Sequence, residues 1–393
     1  MPCLMIDPVD FSKPLYGSGG LAIAGSALRV LGNRLHLVGM TSENHRIGRW
    51  TRLTIQKQEF NFLPVARVQS DTRPRFLSAN LDFALAVALH SSALRATGIA
   101  SALTQTYTVL WYLAWGPWRW NICFYYPGLG NPMTIGRRSR LGRYLAPVYE
   151  RIQALALCKT TVAFAAADGE TVERYNTRLR RFGVGKKVEP LPTAVDLECF
   201  RPLSKSVCRQ QLGLPQDALI MTFVGRLAQV KGIPLILEVL KHLQHRCPRA
   251  LLLLVGDGEK QEELWDLTKQ MALSSLVRFL GRCGPNTVAT AVGAADVCVC
   301  GSHTEGFSVA MVEQLACGRP IVSTDVSGAR DVILEGQNGF VVSERDSRLF
   351  ARRVLDAAQL VNAEEISRRL AEQNYAEQSL WHKVQEAWPA LRD

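Results

Sequence analysis

Short apolar runs alternate with longer stretches whose apolar residues recur at helical spacing, and this alternation continues along the whole chain. In the second half, Ala218–Val224, Ala250–Val255, Val277–Leu280, Val297–Cys300 and Ile321–Thr324 are each bounded by polar or glycine-containing loops. Runs this short and this apolar predict strands, and Ala250–Val255 is apolar enough for one buried on both faces, as in parallel sheets. Between them, Ile233–Leu243 and Val309–Ala316 read as helices, the second stopped by Gly318 and Pro320, since glycine just past the last turn and proline shortly beyond end a helix. The first half predicts strands over Pro2–Ile6, Leu35–Val38, Ile122–Tyr126 and Thr160–Ala165, with helices over Leu21–Leu31, Leu81–Leu94 and Arg143–Leu157. Strand and helix in turn imply the α/β class.

A chain of 393 residues is too long for one comfortable core, so two domains are expected. The turn-rich stretch Leu191–Asp196, with Pro202 shortly after, puts the division near residue 198: a first domain over 1–198 and a second from 199. Composition is that of a globular protein, 47% hydrophobic and 21% charged, which excludes disordered and collagen-like classes.

The net charge of +11 is uneven. Residues 1–198 hold 24 Lys and Arg against 13 Asp and Glu, whereas residues 199–393 hold 22 of each. A basic half attracts anions, whether phosphates, acidic saccharides or anionic lipid headgroups, or it is simply a soluble basic surface. Nucleic acid is disfavoured because the charge is dispersed and no recognition motif accompanies it. The ten cysteines include no C-x-x-C pair and no zinc spacing, and the nearest two, Cys298 and Cys300, lie in an apolar run; they read as small buried hydrophobes. With Met1–Ile6 too short for a secretory leader, a reducing, cytoplasmic setting is expected. The aromatic stretch Thr106–Tyr126 is broken by Gly116-Pro117 and carries Arg119. It is not a bilayer span; it either rests at a membrane interface or packs inside the first domain as a helix leading into a strand.

Two loops carry candidate chemistry. Gly225-Arg226-Leu227-Ala228-Gln229-Val230-Lys231-Gly232 joins a strand's carboxyl end to a helix's amino end, where open α/β sheets take phosphorylated ligands. Gly225 lets a ligand approach the backbone, and Arg226 and Lys231 supply two cations that can neutralise a diphosphate. Alone, the pair is equally an ordinary set of surface cations. The second loop, His303-Thr304-Glu305-Gly306-Phe307-Ser308-Val309, also links strand to helix, and Glu313 follows inside that helix. Gly306, Phe307 and Ser308 stand at the helix start, where unpaired N–H groups favour anions. Glu305 precedes the helix and Glu313 lies inside it, about two turns later; eight residues at the helical rise span roughly 12 Å, about the reach from a sugar across a diphosphate to a ribose. Glu313 lies between Met311, Val312, Leu315 and Ala316, as a carboxylate facing a lined pocket would.

The spacing Glu305-(seven residues)-Glu313, followed by Gln314-Leu315-Ala316-Cys317-Gly318-Arg319-Pro320, resembles the signature of the retaining family-four glycosyltransferases (glycosyl transferases group 1). Gly225-Arg226 with Lys231-Gly232, Val255-Gly256-Asp257-Gly258, Phe279-Leu280-Gly281 and Ala294-Ala295-Asp296 recur in the family's order. The likeness is strong over residues 188–345 and loose before them, resting there on Gly19-Gly20 and Val195-Asp196. It implies the GT-B fold: two facing Rossmann-like parallel-sheet domains, an acceptor domain over 1–198, a nucleotide-sugar donor domain over 199–370, and a C-terminal helix over 371–393 returning to the first. Trp381, Val384 and Trp388 lie on one helical stripe that suits this return.

By the same resemblance, Arg226 and Lys231 hold the diphosphate, Glu313 binds the ribose, and Glu305 meets the donor sugar with the amides of Gly306, Phe307, Ser308 and Val309. Gly225 and Leu280 line the donor near phosphate and base, and Gly19 and Gly20 close over the phosphates. Glu305, Arg226 and Lys231 are thus the expected catalytic set. One departure stands out: many members carry a histidine after the strand that here reads Cys123-Phe124-Tyr125-Tyr126-Pro127-Gly128-Leu129-Gly130, and none is present. His45 and His90 are candidate substitutes.

The implied reaction moves a hexosyl group from a nucleoside diphosphate sugar to an acceptor hydroxyl with retention of configuration. With no Asp-x-Asp pair to seat a divalent ion, neither a metal nor another cofactor is expected. The expected acceptor is a saccharide or lipid-linked saccharide of surface-glycan synthesis. Docking to the inner face of the plasma membrane would use Arg137, Arg138, Arg140 and Arg143. A nucleotide-sugar epimerase and a catalytically silent saccharide- or nucleotide-binding protein are the alternatives.

Overall fold

The computed structural model describes residues 1–68, 78–128, 139–185 and 187–391. They form two compact units: Met1–Leu15, Gly20–Pro192 and Leu380–Asp393 make the first, Tyr16–Gly19 and Thr193–Ser379 the second.

The first unit is built on strands β1 (Cys3–Asp10), β2 (Leu35–Thr41), β3 (Thr51–Ile55), β4 (Gln58–Arg67), β5 (Ser101–Thr104), β6 (Asn121–Tyr126), β7 (Val162–Ala165) and β8 (Glu189–Pro190). Their order in the sheet is β3-β4-β2-β1-β5-β6-β7-β8. All pairings are parallel apart from the edge pair β3–β4. Leu4, Ile6, Val38, Leu63, Phe124 and Tyr126 fill the core together with Phe83 and Val87 of the helix Ala79–Leu89. The second unit carries β9 (Ile220–Val224), β10 (Leu251–Val255), β11 (Val277–Gly281), β12 (Val297–Cys300), β13 (Ile321–Thr324) and β14 (Gly339–Val342), ordered β11-β10-β9-β12-β13-β14 and wholly parallel. Counted within the unit this is the 3-2-1-4-5-6 order of doubly wound sheets. The four residues of β12 are all buried, Cys298 and Cys300 among them, so the continuous apolar run marks a strand covered on both faces.

Several expectations shift in detail. The single helix foreseen over Leu81–Leu94 is two, Ala79–Leu89 and Ser91–Arg95, because His90 at φ −99° and ψ 18° interrupts the helical backbone. The β3–β4 hairpin went unread: its two-residue turn is Gln56-Lys57, both at positive φ, whereas the usual signal for such a turn is Asn-Gly or Asp-Gly. Within the aromatic stretch, Tyr107–Trp115 is a helix burying Val109, Leu110 and Leu113, and it leads into β6; the interior-packing alternative therefore holds. Among the described residues no helix is long and apolar enough to cross a membrane.

The division lies between Pro192 and Thr193 rather than near 198. The link is tied into the second unit, with Thr193 Oγ1 donating to the Phe307 carbonyl (3.3 Å) and Val195 N to that of Tyr375 (2.9 Å). The return to the first unit begins at Leu380, not 371, since the preceding helix Ala363–Asn374 is held in the second by Arg368, which donates to the Phe200 and Ala316 carbonyls. Beyond it, Trp381, Val384 and Trp388 are buried as their stripe suggests. Trp381 Nε1 donates to Ser26 Oγ at 2.8 Å and Trp388 Nε1 to Asn121 Oδ1 at 2.7 Å.

Trp388 is fully buried, so Trp388→Ala leaves both a large cavity and an unpartnered amide. Denaturant unfolding should show a loss of about 3–5 kcal/mol; a change within error of zero would mean that the C-terminal segment is not integral to the first unit.

Candidate active site

In the second sheet the strand order reverses between β9 and β12. The loops that follow these two strands flank the crevice where such sheets bind ligands. Backbone fit explains the glycines. Gly232, at φ 57°, starts the helix Ile233–Leu243, and a Cβ there would stand 2.0 Å from the Gly301 carbonyl oxygen. The two loops are joined beside it, His303 N donating to the Val230 carbonyl at 2.8 Å. Gly256, at φ 132°, passes so near the first loop that a Cβ would lie 2.0 Å from Gly225 O. Gly225 N and Leu227 N in turn donate to the carbonyls of Val255 (2.9 Å) and Asp257 (2.7 Å).

This close seating brings Lys231 to Glu305. Lys231 Nζ lies 2.6 Å from Glu305 Oε1, and Ser302 Oγ donates to the same oxygen at 2.6 Å. The Ser302 carbonyl is fixed from behind by Thr324 Oγ1 (2.7 Å) and Arg345 Nη1 (3.1 Å). Arg226 differs: its side chain is 65% exposed, and its Nε stands 3.9 Å from Glu259 Oε2. The loop thus holds one cation fixed against a carboxylate and extends the other into solvent.

Glu313 is buried in the helix Val309–Ala316. Burial pushes its carboxyl up to about 8, opposed by a hydrogen bond from Tyr16. The Tyr16 hydroxyl donates to Glu313 Oε2 at 3.1 Å, and the Tyr16 ring stacks on Phe200 at 6.3 Å and 22°. Ser308 caps the helix, its Oγ accepting from Met311 N, and the buried Phe307 ring packs on Tyr375. Gly306 and Val309 are half-buried in the same connection, and Leu280 is half-buried near the carboxyl end of β11. Helix starts only at Val309, so Glu305 lies in the loop and Glu313 one turn into the helix.

In the first half, Gly19 and Gly20 open the helix Gly19–Leu31; Gly19 belongs with the second unit and Gly20 with the first. The Gly20 carbonyl accepts from Gln105 Nε2 at 3.1 Å. Nearby in the first unit, Asp7 Oδ1 takes hydrogen bonds from Gln105 N, Thr106 Oγ1 and Thr104 Oγ1, and burial raises its carboxyl to about 7. Tyr126 ends β6, and its hydroxyl shares a 2.8 Å hydrogen bond with Tyr175. His45 is engaged with Thr41 Oγ1 and the edge of Phe62, and His90 follows the helix Ala79–Leu89. Neither lies at the strand end where the resemblance places a histidine. Leu129, Gly130, Arg137 and Arg138 lie outside the described residues, as do the side chains of Arg140 and Arg143. Sequence reasoning missed Ser302, Arg345 and Tyr16. Ser302 precedes Glu305 by three residues and was within reach of inspection; Tyr16 and Glu313 are 297 residues apart, and no local pattern joins them.

Residues 204–377 match the family described as glycosyl transferases group 1. The D-inositol 3-phosphate glycosyltransferase of Saccharomonospora viridis is 32% identical over 173 residues, 42% of this chain and 40% of that protein. The protein of the same name from Geodermatophilus obscurus is 31% identical over 224 residues, 54% and 48% of the two chains. The chain thus spans less than half the length of these curated relatives. Among solved structures, Anabaena HepE in complex with UDP superposes with a TM-score of 0.72 at 17% identity, covering 99% of this chain and 100% of that one. Sucrose-phosphate synthase from Thermosynechococcus elongatus gives 0.77 at 17% identity, covering 100% and 99%. The fold is therefore GT-B, with two Rossmann-like parallel-sheet domains.

The raised carboxyl of Glu313 sets a pH dependence. From the usual carboxylate range up to about 8 the folded protein keeps a proton that the unfolded chain has released, so stability falls as pH rises through that window. Asp7 acts in the same sense up to about pH 7. Glu313→Gln has no proton to lose and still accepts from Tyr16. Denaturant unfolding between about pH 5 and pH 8 should therefore show a shallower decline in the variant; matching declines would contradict the buried, protonated Glu313.

Proposed function

We propose that this chain, whose residues 204–377 match the glycosyl transferases group 1 family, is a glycosyltransferase that moves a hexosyl group from a nucleoside diphosphate sugar to an acceptor hydroxyl. The observation that carries the reading is the junction at the sheet's reversal point, where Lys231 and Glu305 touch and the buried Glu313 follows on the next helix. In this reading Lys231 and Arg226 neutralise the diphosphate leaving group. Its negative charge grows in the transition state; Lys231 is already in place to stabilise it without reorganisation, and Arg226 folds in from solvent onto the diphosphate. Glu305 accepts hydrogen bonds from the sugar hydroxyls and keeps Lys231 aimed. Glu313 accepts from the ribose. Ser302, Thr324 and Arg345 hold the Glu305 loop in register. The amides of Gly306, Phe307 and Ser308 and the backbones of Gly225, Val309 and Leu280 complete the donor site.

Configuration is retained in this proposal: the departing phosphate takes the acceptor's proton on the face it leaves. No metal is assigned a role. The acceptor we favour is a saccharide or lipid-linked saccharide, in keeping with the charge of the first half. The name of the curated relatives supports a second acceptor class, a phosphorylated polyol, which the same positive charge would suit. Association with an anionic membrane surface is supported by the helix Ser139–Leu157, which exposes Tyr144 (82%), Leu145 (50%) and Val148 (57%); aromatic and apolar side chains beside basic ones favour the lipid interface.

Lys231→Ala should lower turnover by about 10²–10³ in a donor-plus-acceptor assay, and near-normal transfer by the folded variant would remove the proposed role. Activity should persist in excess EDTA; loss restored by a divalent ion would overturn metal independence. In flotation assays the wild type should rise with vesicles containing anionic phospholipid and not with neutral ones, while Tyr144→Ser with Val148→Ser should weaken this.

A further inference from the structure

The geometry points to Tyr16 as an internal competitor for the carboxyl group of Glu313, one that sets how tightly a nucleotide is held. This inference rests on the reading of Glu313 as the ribose ligand. Tyr16 lies far from Glu313 in sequence, yet it belongs to the second unit with Gly17, Ser18 and Gly19. Its hydroxyl donates to Oε2 at 3.1 Å, in the manner a ribose hydroxyl would. Its ring is held by the stack on Phe200. Glu313 itself is only 5% exposed, and the oxygen that Tyr16 covers is Oε2, so a second hydroxyl donor takes Oε2 by replacing the first.

The segment is built to let go. Tyr16 is half-buried, while Pro14, Gly17 and Ser18 around it are exposed. Gly17 sits at φ 105°, and a Cβ placed there would have nothing nearer than 4.0 Å, the guanidinium of Arg282. A residue free of steric contacts and without a side chain changes its backbone angles at little cost. Tyr16 is also the hydrogen-bond partner of a buried carboxyl, and such a group is costly to leave unpaired. A nucleotide must therefore return to Glu313 what Tyr16 supplied. A diol can do so with two hydroxyls, which makes the site responsive to ribose and holds affinity down.

Tyr16→Phe tests this, since it keeps the stack on Phe200 and removes only the hydroxyl. Calorimetric titration with UDP, GDP and ADP identifies the nucleotide that binds the wild type, and that nucleotide is then titrated into the variants. Tyr16→Phe should bind it about tenfold more tightly; its nucleotide-free unfolding midpoint should fall, because the buried carboxyl loses its donor, while a single cooperative transition excludes a folding defect. Glu313→Ala, which removes every acceptor at this position, should bind it more weakly. Unchanged or weaker binding by Tyr16→Phe, with weaker binding by Glu313→Ala, overturns the competition and leaves the ribose reading standing. Unchanged binding by Glu313→Ala overturns the ribose reading itself. Failure of all three nucleotides to bind overturns both. Amide exchange over residues 13–18 adds an independent readout: nucleotide should speed exchange if Tyr16 is displaced, and slower exchange would show the tyrosine clamped in place instead.

Discussion

The close approach of two backbone segments at the reversal point of the second sheet is the constraint on which the candidate site depends. Gly232 lies where a methyl group would strike the Gly301 carbonyl, and the amide of His303 bonds to the Val230 carbonyl beside it. These contacts bring the loop after β9 against the loop after β12. Lys231 and Glu305 meet as a consequence: each extends from a loop whose path is decided by the other. Two residues separated by 74 positions become one unit because both strands end at the same crevice, as the 3-2-1-4-5-6 order requires.

Behind that junction, the site shows graded rigidity. Glu305 is held by two donors, and the loop carbonyl next to it by Thr324 and Arg345. Arg226 extends into solvent, and Tyr16 reaches Glu313 from an exposed, glycine-containing segment. Preorganised charge is useful where a leaving group develops its own. Groups that must admit and release a ligand are drawn from the less constrained parts of a structure. The rigid pair and the two looser ones fit that separation of tasks.

Much of the second unit was legible because its strands, the edge strand β11 apart, are largely buried on both faces. Val297–Cys300, Ile321–Thr324, Ile233–Leu243 and Val309–Ala316 begin and end where their apolar runs do. The first unit resisted reading where local chemistry is unusual. The β3–β4 turn adopts positive φ at Gln56 and Lys57 without glycine or asparagine, and Ser101–Thr104 is too short a run to stand out. The helix break at His90 leaves no proline or glycine behind.

By itself the sequence determined the alternation of strand and helix, the candidate loops and the residue types within them, since these follow from periodicity, from glycine's conformational range and from the spacing Glu305 to Glu313. It also determined the apolar stripe of Trp381, Val384 and Trp388, because a helix repeats every 3.6 residues whatever it packs on. Tertiary structure alone decided which groups touch. The contact of Lys231 with Glu305, the support of Glu305 by Ser302, and the hydroxyl of Tyr16 on Glu313 are all long-range or loop-made. Burial, which moves the carboxyls of Glu313 and Asp7 upward, belongs to the same class. The reason is physical: local sequence sets backbone preference over a few residues, whereas desolvation and hydrogen-bond pairing depend on what the rest of the chain brings alongside.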